Sequence, residues 1–255
     1  MTPTRVSAVS YLNTCPLVWG FLHGPQAGGI ALQFELPAQC ADSLRQGAVE
    51  LGLVPVVEAF RQKLDVVSDV CIASDGPVRS IFLVHNVPLA KVRSVAMDAS
   101  SRTSVALTRI ILAERYGLRP AEHPSAPDLP AMLRNADAAL LIGDPALRLQ
   151  PSDSALEILD LGAEWKALTG LPMVYAVWAG RAANVASSTL ALFRDSYEWG
   201  RDKVEEIIER EAPPRNVSKE LARKYLTSHI QYELDTRARS GMREFERLAA
   251  LYQLI

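Results

Sequence analysis

Ser100-Ser101-Arg102-Thr103-Ser104 sits at a change of period in the chain. Before it, Val92 to Asp98 alternates and branches like a short strand. After it, Val105 to Tyr116 repeats its apolar residues at helical spacing until Gly117 stops the pattern. The hydroxyls and backbone N–H groups of this stretch therefore fall where a strand hands over to a helix. The first helical turn has unpaired N–H donors, and the helix dipole adds partial positive charge, so an anion can be held there without a lysine. An over-provided N-cap would explain one Ser or Thr. Hydroxyls at Ser100, Ser101, Thr103 and Ser104 exceed what capping needs and favour an anion site.

The same strand, polar turn and helix recur nearer the N-terminus. Arg5 to Val9 is a strand, Ser10-Tyr-Leu-Asn-Thr14 is the turn, and Pro16 opens a helix that runs to Gly24. Asn13 offers an amide donor and acceptor to whatever lies over that turn, or it caps the helix together with Thr14. Strands at Ile30–Leu36 and Leu51–Pro55, each followed by a helix, continue the rhythm of an α/β protein with a parallel sheet under covering helices. A third unit ends at Gly143-Asp144-Pro145, after the buried strand from Ala136 to Ile142. Gly143 and Asp144 fall at a strand's carboxyl end, where ligands of such sheets gather; Asp144 serves equally well as a cap for the helix opening at Pro145.

Two extended segments suit a passage between lobes: Val78 to His85, after the Asp75-Gly76-Pro77 turn, and Met173 to Ala179. Ser80 then falls at the base of an interlobe cleft, or is a plain strand-edge serine. Pro120 to Pro130 reads as loop, Trp165 and Trp178 as core, and everything from Ser187 onward as helix.

Composition narrows the function. With 27 basic and 29 acidic residues, a net charge of -2 recommends neither nucleic acid nor a membrane surface as partner. Cys15, Cys40 and Cys71 form no CxxC pair, and the four histidines show no ligand spacing, so neither a disulfide framework nor a metal site is expected. With no secretory signal or long apolar run in sight, a cytoplasmic soluble protein is expected.

Taken together, SYLNT at 10–14, ASDGPVRS at 73–80, SSRTS at 100–104, LIGDPAL at 141–147 and WKALTGLPMVYAVWA at 165–179 resemble the chorismate dehydratases of menaquinone biosynthesis, the enzymes that open the futalosine route. The likeness runs in order from about Arg5 to Gly180, with the helical tail compatible but uninformative. It implies a two-lobed fold like a type II periplasmic binding protein, with two crossing strands and a helical C-terminal segment. The implied division is residues 1–84 and 178–255 in lobe I and 85–177 in lobe II. It also implies chorismate as substrate, 3-[(1-carboxyvinyl)oxy]benzoate as product, and no cofactor. The family's reaction-linked asparagine and serine fall on Asn13 and Ser80. Substrate-binding positions then fall on Ser10, Tyr11, Ser100, Ser101, Thr103, Ser104, Gly143 and Asp144. The motifs contain no histidine, and only Asp75 and Asp144 offer carboxylates, so the substrate's own enolpyruvyl carboxylate is one candidate base and Asp144 the other. Two further readings stand beside this one: a non-catalytic small-anion binding protein, and the sister naphthoate-forming enzyme that shares the fold.

Overall fold

The computed structural model describes residues 3–149, 156–181, 183 and 185–255. In chain order the strands are β1 (Thr4–Val9), β2 (Ile30–Glu35), β3 (Leu51–Pro55), β4 (Asp65–Ser74), β5 (Ile81–His85), β6 (Ser94–Asp98), β7 (Ala121–Ser125), β8 (Ala138–Ile142), β9 (Glu157–Asp160), β10 (Met173–Gly180) and β11 (Gln231–Glu233). The helices are α1 (Cys15–His23), α2 (Pro37–Arg45), α3 (Val56–Arg61), α4 (Arg102–Tyr116), α5 (Leu129–Asn135), α6 (Gly143–Arg148), α7 (Leu161–Thr169), α8 (Ser187–Asp202), α9 (Val204–Glu211), α10 (Lys219–Lys224) and α11 (Thr236–Leu251).

These strands form two sheets, ordered β11-β4-β10-β3-β1-β2 and β7-β6-β8-β5-β9. Each has a parallel part, β2-β1-β3 in one and β7-β6-β8 in the other, joined to antiparallel strands. The parallel sheet expected of the N-terminal strands is present in β2-β1-β3, and antiparallel strands extend it. Chain that leaves the first sheet at the end of β4 comes back as β10, and a returning strand beside the departing one must run antiparallel.

Sheet membership also moves the expected crossings. β5 lies wholly in the second sheet, paired with β8 and β9, and β10 lies wholly in the first, paired with β3 and β4. The chain changes sheets between Ser74 and Ile81 and again between Asp160 and Met173, ahead of the expected boundaries at 84/85 and 177/178. Two other expectations change. The stretch read as loop holds β7, an edge strand that tolerates Pro124 because its outer side needs no partner. The C-terminal segment is not helical throughout, since β11 pairs antiparallel with β4.

Local sequence explains the elements that frame the cleft. Ser101 caps α4 by accepting from Ser104 N–H, and Gly117, at φ +65°, ends it in the left-handed conformation. Leu118 N–H then reaches back to Leu112 O at 2.9 Å to close the last turn. β3, β5 and β8 are buried along their whole length. One apolar core runs unbroken from the first sheet to the second and takes in both Trp165 and Trp178. Trp165 on α7 meets Phe245 on α11 with ring centres 5.9 Å apart. Among the described residues no helix is long and apolar enough to cross a membrane.

Candidate active site in the interlobe cleft

The carboxyl ends of β1, β6 and β8 face one another across the gap between the sheets and border a partly open cavity. The first lobe contributes Val9, Tyr11, Asn13 and Thr14, with an apolar floor that includes Leu53 and Ile72. Ser101, Thr103 and Ser104 at the start of α4 and Gly143 after β8 line the opposite side. Val78 and Ser80 close it at the passage between the sheets. Among the described residues, none that lines the cavity is charged.

The lobes touch on both sides of this space. Leu12 N–H donates to Asp144 Oδ1 at 3.0 Å, and Ala38 N–H to Ser100 O at 3.0 Å. Ser100 Oγ gives its hydrogen to Asp98 Oδ1 at 2.7 Å, so the Tyr11 phenol, 3.3 Å away, is the donor to Ser100. Burial pushes that phenol up to about 12, partly relieved by the bond to Ser100, so it remains a neutral donor at physiological pH. Arg102 on α4 clamps Asp42 of α2 at 2.8 Å and Glu58 of α3 at 3.2 Å.

The Glu58 contact is sensitive to pH in one direction. Burial raises the carboxyl, but hydrogen bonds from Arg61 and Gln62 and the Arg102 charge more than offset it, leaving it below its ordinary value. A carboxyl depressed in the folded protein contributes stability above its unfolded pKa and loses it as pH falls through the folded one. Glu58→Gln is therefore expected to melt lower than the parent at pH 7, by about 1–3 kcal/mol, with the two proteins converging in acid below the usual carboxylate range. Melts that differ equally at every pH would mean that the charge is not what holds this contact.

Not every expected position reaches the cavity. Asn13, Ser80, Tyr11, Ser101, Thr103, Ser104 and Gly143 are brought together around it. Ser100 turns to Asp98, and Ser10 supports the rim through its backbone, donating to Glu35 O and accepting from Arg215. Asp144 lies behind the lining: Oδ1 holds Leu12 N–H, and Oδ2 pairs with Arg215 Nε at 3.2 Å. Its place is a brace between the lobes. Burial pushes its carboxyl up, against the Leu12 N–H and the Arg215 and Arg148 charges.

Thr14, in the expected polar turn, is buried, lines the cavity and has an Oγ1 with no hydrogen-bond partner among the described residues. Other contributors escaped the sequence reading. Asp160 organises the passage between the sheets by accepting from four backbone N–H groups, those of Val78, Arg79, Gly162 and Ala163. It steadies Arg79 at φ +67°, a left-handed conformation rare for a residue with a side chain, one position before Ser80. Tyr225, in the tail, donates to Ser80 Oγ at 2.8 Å.

A site of this kind, built of neutral hydroxyl, amide and helix-terminal N–H donors, suits a compact anion. Comparison with known proteins agrees with the fold and narrows the family. A chorismate dehydratase of Thermus thermophilus is 29% identical, over 96% of this chain and 94% of its own length. Among solved structures, protein AF1704 of Archaeoglobus fulgidus superposes with a TM-score of 0.81 at 18% identity, covering 99% of this chain and 98% of that one. The periplasmic aliphatic sulphonate binding protein SsuA of Escherichia coli does so at 0.65 and 17% identity, covering 99% and 88%. These likenesses show the two-lobed architecture of periplasmic binding proteins. The family model described as menaquinone biosynthesis matches residues 4–251, nearly the whole chain, and this protein belongs to that family.

Proposed function

We propose that this protein is a chorismate dehydratase that removes water from chorismate to give 3-[(1-carboxyvinyl)oxy]benzoate. Family membership and the curated relative support the class of activity. The observation that carries the specific reaction is a cavity furnished with neutral donors and, among the described residues, no acid or base of its own. Such a site suits a substrate that brings two carboxylates and can supply its own base.

The elimination breaks two bonds. A proton leaves the ring carbon bearing the enolpyruvyl ether, and the electron pair spreads through the conjugated ring towards the ring carboxylate. Hydroxide departs from the neighbouring carbon, the ring becomes aromatic, and hydroxide and proton leave as water. The substrate's enolpyruvyl carboxylate takes the proton, and its high effective molarity compensates for weak basicity. Asn13 orients that carboxylate, and Ser80 donates to the departing hydroxyl. Thr14 and the hydroxyls at the start of α4 hold the carboxylates, with the α4 dipole supporting them. No step calls for a cofactor.

Mixing purified protein with chorismate, following aromatisation by ultraviolet absorbance and weighing the product by mass spectrometry tests the reading directly. Loss of one water sustains it. Binding without turnover would instead mark a small-anion receptor, and neither binding nor turnover would direct attention to the naphthoate-forming reaction.

Asp144→Asn separates the two candidate bases. Both carboxylate oxygens of Asp144 are committed to Leu12 and Arg215, outside the lining. The variant is expected to keep kcat within about threefold of the parent and to raise KM, as the loss of one charge-assisted brace requires. Abolished turnover with binding intact would transfer the base role to Asp144.

A further inference from the structure

We propose that Tyr225, in the C-terminal segment, is a positioning residue that aims the Ser80 hydroxyl at the substrate, a role that rests on the dehydratase reading given above. The phenol has one hydrogen, and it is committed to Ser80 Oγ at 2.8 Å in a buried contact. Ser80 Oγ, already accepting, has its own hydrogen to place. Ser80 lines the cavity, and among the described residues that hydrogen has no other acceptor. It therefore points at whatever occupies the cavity.

The Asn13 side chain also acts on this phenol, lowering its pKa against the larger effect of burial. A directed chain results, from the phenol O–H to Ser80 Oγ and from the Ser80 O–H into the cavity. Hydrogen bonds in such a chain polarise one another, so Ser80 becomes a stronger donor than an isolated serine. Tyr225 stays protonated throughout, since complete burial pushes the phenol well above its ordinary value.

Backbone geometry supports a dedicated placement. Tyr225 begins a π-helical turn, Tyr225–His229, closed by Ile230 N–H on Tyr225 O at 3.0 Å. Turns of this kind are uncommon and recur at functional sites, where they re-aim a side chain out of regular helix. Here the turn follows α10 directly and leads into β11, which anchors the segment to β4. The tail thereby reaches Ser80 from behind the cavity without lining it.

Tyr225→Phe removes the hydroxyl and keeps the ring. With chorismate as substrate, kcat is expected to fall about tenfold while KM stays within about twofold, because the lost bond acts as hydroxide leaves. In a Ser80→Ala background the same change should cost nothing further, since the hydroxyl it aims is gone. A merely structural phenol would lower the melting temperature and act equally in both backgrounds. If Tyr225→Phe does not fold, 3-fluorotyrosine at position 225 keeps ring and hydroxyl with a stronger donor, and kcat should shift with KM constant. An unchanged kcat in the variant used, or equal effects with and without Ser80, overturns the proposal. A parent protein that leaves chorismate unchanged would overturn the dehydratase reading, and this role with it.

Discussion

Asn13→Asp is expected to lower kcat/KM for chorismate by about a thousandfold while leaving the melting temperature close to that of the parent. The two side chains have nearly the same shape, so packing around the turn from Leu12 to Thr14 is preserved. What changes is charge. The cavity has no charged side chain among its described lining residues, and it must admit a substrate with two carboxylates. A new carboxylate about 4 Å from one of them, at an effective dielectric near 20, repels it by about 4 kcal/mol, close to three powers of ten. Steady-state kinetics beside a thermal melt checks both halves of this expectation. An Asn13→Asp protein with the parent's kcat/KM would remove Asn13 from the site.

Gly143→Ala comes next in expected size, through geometry in place of charge. Gly143 sits at φ +65°, where a residue with a side chain costs about 1–2 kcal/mol. A methyl group built there would lie 2.6 Å from Cε2 and Cζ of the Tyr11 ring, far inside contact distance. Tyr11 belongs to the first lobe and Gly143 to the second, so this glycine is a point of close approach between the lobes. The backbone on both sides is fixed: Gly143 N–H donates to Ser80 O at 2.8 Å, and Leu12 next to Tyr11 is held by Asp144 at 3.0 Å. Relief therefore comes from swinging the Tyr11 ring, itself part of the cavity lining, or from parting the lobes. A displacement near 1 Å at a reacting centre costs about a hundredfold, and kcat/KM should fall by that order with both kcat and KM affected. Parent-like kinetics would show that catalysis does not require the lobes to close this far.

Much of the cleft was legible in the sequence because its units change period where they matter. The strand–turn–helix passages at SYLNT, SSRTS and LIGDPAL announce themselves by a switch from alternating to helical spacing with polar residues between. Each turn lies on the cleft. Harder to see were features whose signal is not local. β7 was hidden by Pro124, which argues against a strand until its edge position is known. β11 is three residues long, too short to display a period of two. The placement of β5 and β10 in opposite sheets depends on which neighbours they pair with, which no single strand's sequence reveals.

Site residues divide along the same line. Tyr225 lies 145 positions from the serine it contacts, in a segment whose helical pattern says nothing about a phenol's target. Asp160 caps α7, and that it also holds Val78 and Arg79 emerges only in three dimensions. Asp144 shows the opposite case. Its motif drew it towards the substrate, whereas pairing with Arg215 and Leu12 sets it behind the wall.

The unbroken apolar core between the sheets gives the cleft a thermal signature. Parting the lobes where Trp165 meets Phe245 wets nonpolar surface, and hydrating such surface raises the heat capacity. Capture of a ligand that seals the lobes together therefore carries a negative heat-capacity change, and its enthalpy grows more favourable on warming. Release of the product runs against the same term. In cold water, where apolar hydration costs least, the cleft parts most readily.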